Sequence, residues 1–488
     1  MTRRSSISVK RQENCRVAEK LIPAAVVAIL VILVSMRSWA TSFKVVFVLV
    51  LIEGALRKWI LPGAADLVYF IKDVLLVGVY LGFWFYGPGS RRRSMPPEWL
   101  PLTGFRFALI PICILTFNPN IGSVAATVLG VRGYLFYLPI ILIMPYAFDD
   151  KKTMIRQVSM YAMLTIPICL LGVVQFRSDS FSVLNTYASG TTQWGASTFG
   201  GGADALVRVT GTFSYLSGHV VFVCVFSALA VALVANPRTP YRRILAFVAI
   251  PLLAGNVFMS GSRAAFMAAT LTILGLLLNR MGARTAAGRS RAYKSIAVLC
   301  IGVAVIGLTL FRDAADALKG RSDRVNDSVL IRMIDSPIYH LVLGWESGGV
   351  FGCGVGTTNP AVRVLRSRLG VPPLKYHPGY YDLEIGQVFA EVGLTGFVAW
   401  YSFRMMVMFS LWQAYRRCHD EELRVIILAT FFISLPFFLM SLVLNHVACV
   451  LLWGMTGLSL AAVRFSRNAQ SQSKRTQTRL IPKRAVAA

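Results

Sequence analysis

The chain reads as an all-α, polytopic membrane helical bundle, and three observations predict it. Hydrophobic residues make up 56% of the 488 and charged residues only 15%, too little polar cover for a soluble surface. The apolar residues arrive in blocks of about 15 to 23, the length a helix needs to cross ~30 Å of hydrocarbon, and polar or Pro/Gly-rich breaks separate the blocks. Lipid offers the backbone no hydrogen-bond partner, so continuous blocks of this length read as helices.

The blocks cover residues 21–36, 43–61, 66–87, 100–117, 128–148, 154–174, 213–235, 244–260, 264–279, 294–311, 386–413, 425–444 and 447–464, thirteen candidates in all. Lys and Arg collect in loops that stay cytoplasmic. Arg91-Arg92-Arg93, Lys151-Lys152, Arg242-Arg243, the 280–294 loop, Arg416-Arg417 and the tail after Arg464 therefore face the cytoplasm, and they alternate consistently from residue 88 onward. The N-terminal Arg3, Arg4, Lys10, Arg11, Arg16 and Lys20 ask for the same side. Thirteen crossings would separate the termini, so one early block is expected not to cross. Residues 43–61 are chosen, because Glu53, Arg57 and Lys58 interrupt them; a re-entrant or interfacial helix there leaves about twelve transmembrane helices and both termini inside. The expected organisation is a basic cytoplasmic arm (1–20), a transmembrane domain (21–464) and a basic, disordered cytoplasmic tail (465–488).

The formal charge of +28 fits that bias together with binding to anionic membrane lipids, and argues for no nucleic-acid partner. The eight cysteines form no CxxC pair, so neither a disulfide framework nor a zinc site is expected.

Two loops fall on the outer side and are long enough to hold a site, 175–212 and the larger 312–385. The first is rich in Gly, Ser and Thr, contains Gly200-Gly201-Gly202 and is expected to be mobile. The second carries Arg321, Arg324, Arg332, Arg363, Arg366, Arg368 and Lys375. These residues suit either a solvated charged face or an outward-facing anion site in which Arg forks hold phosphate oxygens.

Several motifs then fall in a telling order. Arg208-Val209-Thr210-Gly211-Thr212-Phe213 enters a helix, and Gly261-Ser262-Arg263 marks an outer junction between two helices. Gly352-Cys353-Gly354-Val355-Gly356-Thr357 lies in the large loop, and the run from Tyr381 to Gly396 opens the next helix. Over about residues 100 to 460 this pattern resembles the O-antigen ligase and O-antigen polymerase superfamily. The resemblance implies a bacterial inner-membrane glycosyltransferase that uses a polyprenyl-diphosphate-linked oligosaccharide on the periplasmic side. It also implies that no metal or cofactor is needed, arginines holding the diphosphate. In the ligases a histidine lies eleven residues before the first glycine of the closing Gly-x-x-Gly pair; counting back from Gly393 reaches Asp382, and His377 lies five residues earlier. That departure favours a polymerase or another transferase over a ligase.

Glycan transfer from a diphosphate carrier needs a base for the acceptor hydroxyl and cations for the leaving diphosphate. Asp382, Glu384 and His377 are the candidates for the base, and Arg208, Arg263 and Arg332 for the cations. With a helix starting near Asp382, Glu384, Gln387 and Glu391 fall on one face, and Gln387 and Glu391 are assigned supporting roles. Each residue also has a plain structural alternative: a helix cap for Asp382, interfacial solvation for Glu384, neutralisation of an arginine for Glu391, a turn for His377, snorkelling for Arg263. His219 reads as a buried, hydrogen-bonded histidine. Glu53, Arg57, Asp66, Lys72 and Asp73 read as an ion-pair cluster near the membrane, and the Gly352-x-Gly354-x-Gly356 run as a tight-packing turn.

The expected function is a polymerase-like transferase of surface polysaccharide assembly, with polysaccharide assembly proteins as partners. Transfer to a lipid or protein acceptor is the nearest variant. A transporter or flippase shares the helix count, although no internal repeat relates the halves, and a scaffold subunit is the third alternative.

Overall fold

The computed structural model describes residues 23, 25–87, 102–121, 123–188, 195–199, 206–234, 240–281, 312–314, 316, 334–362 and 381–480. Among these, eight helices are long and apolar enough to cross a membrane, and the strand content is one two-residue antiparallel ladder pairing Thr198 with Val207 and Phe199 with Leu206. The chain is all-α and membrane-embedded. It divides into two compact units.

The first unit contains α1 (Ala25–Arg37), α2 (Trp39–Ile60), α3 (Ala65–Phe85) and residues 212–214. α1 and α2 form one bent rod. Ser38 leaves helical geometry at φ −112° and ψ 45°, its hydroxyl donating to Val34 O at 3.1 Å, a back-bond that bends helices. α3 packs along this rod because Gly78 and Gly82 bring its backbone against Ile32, Ser35 and Met36.

The expectation that 43–61 stops short of crossing rested on its charges, and two of these, Glu53 and Arg57, find partners in the fold. Glu53, Arg57, Lys58, Lys72 and Asp73 are all buried. Lys72 Nζ meets Glu53 Oε2 at 2.7 Å and donates to Tyr69 O at 2.7 Å. Arg57 donates to Ala65 O at 3.0 Å and to Ser214 Oγ at 2.8 Å. Charges that satisfy one another in this way are tolerated at membrane depth, and Trp39–Ile60 is long and apolar enough to cross.

The second unit begins with α4 (Leu102–Leu115), α5 (Val124–Tyr146), α6 (Lys151–Phe176), α7 (Leu216–Val234) and α8 (Pro240–Met259). It continues with α9 (Arg263–Met281), α10 (Ser336–Gly348), α11 (Glu384–Arg417), α12 (Glu421–Phe437) and α13 (His446–Leu480). Apart from 294–311, which lies outside the described residues, each apolar block after residue 66 coincides with one of these helices.

α11 departs from its expected form. Gly393 breaks it at φ 62° and ψ −171°, a backbone conformation open essentially to glycine alone. Phe389 and Phe397 then lie 4.9 Å apart between ring centroids, and Glu384 and Arg404 are in direct contact. Twenty residues of straight helix would hold that pair about 30 Å apart. The arm 384–392 therefore folds back along the arm that starts at Leu394. Residues 386–413 are not one continuous span; the uninterrupted arm 394–417, about 36 Å long, is the part able to cross.

The turn after α10 fills the break. Cys353 N and Gly354 N donate to Ala390 O and Glu391 O, both at 2.8 Å, while Leu394 N and Thr395 N donate to Gly349 O and Val350 O at 3.0 and 3.2 Å. Four backbone groups freed by the break thus find partners. Gly352 has φ +77° and approaches so closely that a Cβ there would overlap the Glu391 carbonyl.

Candidate functional site

Two neighbourhoods of the second unit gather the residues singled out in the sequence. The first surrounds the α8–α9 turn. Gly261 takes φ +57° and ends α8, and Ser262 Oγ accepts from Ala265 N at 3.3 Å, capping α9. Arg263 follows as the first helical residue. The Gly-Ser-Arg spacing is thus a reversal, a cap and a helix start.

Arg208 is drawn to the same turn, its Nε donating to Ser260 O at 3.0 Å and its Nη2 reaching Gly261 O at 3.5 Å. Val209 N donates to Met259 O at 3.3 Å. Two amide side chains tie together the described part of the 175–212 loop; Gly200-Gly201-Gly202 lie outside the described residues. Gln175 Oε1 accepts from Gly211 N at 2.7 Å and Thr210 N at 3.2 Å, while its Nε2 donates to Leu184 O at 2.8 Å. Asn185 Nδ2 donates to Asp179 O at 2.8 Å. Phe199, Val209 and Met259 bury one another. His219 is fully buried and packs under Gly211.

The second neighbourhood is the folded-back arm of α11. Its three polar side chains reach different partners. Glu384 is fully buried and held by Arg404 Nη1 at 2.6 Å, Val443 N at 2.7 Å and Leu442 N. Arg404 also donates to Phe437 O. Glu384 is thus a buried ion pair that pins the turn between α12 and α13, in place of the interfacial solvation allowed for it above. Glu391 Oε1 accepts from Thr358 Oγ1 at 2.6 Å and Thr358 N at 3.0 Å, so it anchors the 356–358 turn, and among the described residues no arginine pairs with it. The buried Tyr134 hydroxyl lies near both carboxylates. Gln387 Nε2 donates to Tyr381 O at 3.0 Å.

Asp382 is different. It is exposed, just before the helix, and the N-cap position belongs to Leu383. Of the three carboxylates on this arm it alone faces solvent. Arg332 and His377 lie outside the described residues.

A chain of contacts joins the two neighbourhoods. The Glu384-bound turn continues to Asn445, whose Nδ2 donates to Ser217 O at 3.4 Å. Ser217 lies in the first turn of α7, beside His219 and hence Gly211 and Arg208. Arg404, Thr358 and Tyr134 were not singled out from sequence. For Arg404 a signal existed, a lone arginine in an apolar helix, which demands a partner.

Cys353 is not a nucleophile candidate, since burial, aided by the Glu391 charge, pushes its thiol up to about 11. Among the described residues, no three His, Cys, Asp or Glu side chains converge as a metal site would require. No protein-family model matches the chain, and no curated protein matches it.

Proposed function

We propose that the protein is an outward-facing glycosyltransferase of cell-envelope polysaccharide biosynthesis, extending polyprenyl-diphosphate-linked glycans as an O-antigen polymerase-like enzyme. The observation that carries this reading is the division of labour on α11. Glu384 and Glu391 are consumed by structural contacts, which leaves Asp382 as the accessible carboxylate at the arm's start. In this reading Asp382 accepts the proton of the acceptor hydroxyl. Arg208 and Arg263, gathered on one turn, balance the charge of the departing diphosphate. Arg332 stays a further candidate for the diphosphate and His377 for the base, both outside the described residues. The motif resemblance supports the substrate class. The charge pattern supports about twelve spans, both termini in the cytoplasm, and, with the resemblance, a bacterial inner membrane.

Transfer to a lipid or protein acceptor uses the same groups and differs only in the acceptor. A transporter is the second reading, favoured by the broken α11, because interrupted helices recur at transporter binding sites. Purified protein in nanodiscs, given a polyprenyl-diphosphate oligosaccharide, is expected to produce longer glycans and free diphosphate carrier. Translocation of that lipid without turnover, across a panel of donors and acceptors, would overturn the enzyme in favour of the transporter.

A further inference from the structure

Helices α7, α8 and α9 line a side-open apolar groove. Small side chains are among its lining: Ser227, Ala254, Ala269 and Thr270, one or two from each helix. Phe258 and Phe266 line it as well, their rings 5.8 Å apart. Phe258 lies three residues before Gly261, and Phe266 three residues after Arg263, so the groove starts within about one helical turn of the α8–α9 turn. Arg208 is bonded to that same turn.

Two guanidinium-bearing residues therefore stand at the end of an apolar trough. That is the complement of an anionic amphiphile with one phosphate-rich head and one long hydrocarbon tail. A glycerophospholipid presents two chains beneath its head, and a single groove leaves the second unseated. A polyprenyl-diphosphate presents one. We propose that this groove seats the head-proximal isoprene units of the donor lipid, with its diphosphate at Arg208 and Arg263. The assignment rests on the transferase reading above and adds to it the site of the tail.

The test uses the full chain in phosphatidylethanolamine nanodiscs and a polyprenyl-diphosphate carrying a photoreactive diazirine in its first isoprene units. Crosslinks are expected on the groove-facing residues of α7, α8 and α9, displaced by unlabelled polyprenyl-diphosphate and not by added phosphatidylethanolamine. Ala254→Trp combined with Thr270→Trp fills the trough. It should lower crosslink yield and kcat/KM by roughly tenfold or more, as expected for displacing about two buried methylene groups. Phe247→Trp, at an exposed position on α8, should change neither. Because the crosslink map is made on the unaltered protein, misfolding of the filled variant cannot hide the answer. Crosslinks on other helices, or equal displacement by phosphatidylethanolamine, overturn the groove, and turnover by the same protein would then leave the transferase standing. Groove crosslinks without turnover keep the lipid site and sink the transferase.

Discussion

Glu384 and Arg404 are twenty residues apart in the chain and 2.6 Å apart in space. Both belong to α11, so their contact requires the helix to reverse, and both are buried, so neither tolerates losing the other. Arg404→Ala leaves a buried carboxylate without its cation and should cost about 3–5 kcal/mol. Glu384→Gln with Arg404→Met should recover much of that loss. Thermal unfolding in detergent measures both. If the double variant also keeps transferase activity, Glu384 serves folding and not proton transfer; an active Arg404→Ala protein of unchanged stability would contradict the ion pair.

Gly393→Ala tests the reversal itself. The backbone angles there are costly for any side chain, and a Cβ would press on the Val350 carbonyl. The variant is expected to lose about 1–3 kcal/mol, visible as a lower melting temperature and faster proteolysis of the 349–358 turn. Unchanged stability would mean that α11 runs straight.

Asp382 makes the opposite prediction. An exposed carboxylate outside the cap contributes little to folding, so Asp382→Asn should leave the melting temperature within experimental scatter. Loss of a general base lowers turnover by roughly 10²–10⁴-fold, read as glycan extension in nanodiscs. Arg263→Ala is expected to weaken donor use as well. Wild-type turnover by Asp382→Asn would remove the proposed base and leave the fold untouched.

A pH dependence follows from the ends of α6, α8 and α12. Lys151 Nζ contacts Asp420 Oδ2 at 2.6 Å and Glu422 Oε2 at 3.0 Å, and Arg242 also contacts Glu422. Partial burial pushes the Glu422 carboxyl up, but hydrogen bonds from Arg242 and Lys151 and their charges outweigh it and hold the group below the ordinary carboxylate value. A depressed folded-state pKa contributes stability above the unfolded value of about 4.3, and that contribution fades as pH falls through the lower, folded value. Wild type should therefore exceed Glu422→Gln in melting temperature at neutral pH, the gap closing in acid. A gap that widens on acidification would contradict the assignment.

What sequence reveals here tracks what the bilayer enforces. Helix positions were legible because hydrocarbon thickness sets their length and lipid forbids unpaired backbone. The reversal in α11 was not, because hydropathy is blind to backbone angles and Gly393 lies inside a block that reads as one helix. Glu384 and Glu391 looked like a polar stripe because helical spacing places them on one face. Their partners, Val443 and Thr358, lie in distant turns that only the tertiary structure brings in. The Arg208 and Arg263 neighbourhood was half legible: both stood beside outer helix ends, but nothing local said that Arg208 would bond the Ser260 and Gly261 carbonyls. The charges of 43–61 were hard to read for a related reason, since the partner of Glu53, Lys72, belongs to the next helix.

The folded-back arm also sets a schedule for assembly. As the chain leaves the ribosome, Glu384 emerges before Arg404, and its backbone partner Val443 follows only 59 residues later. The arm 384–392 thus has no finished place to dock until α12 and the turn beyond it have been made. The surface that displays Asp382 is consequently among the later parts of the protein to mature, and a chain cut off ahead of α13 would lack it even with α11 already in the bilayer.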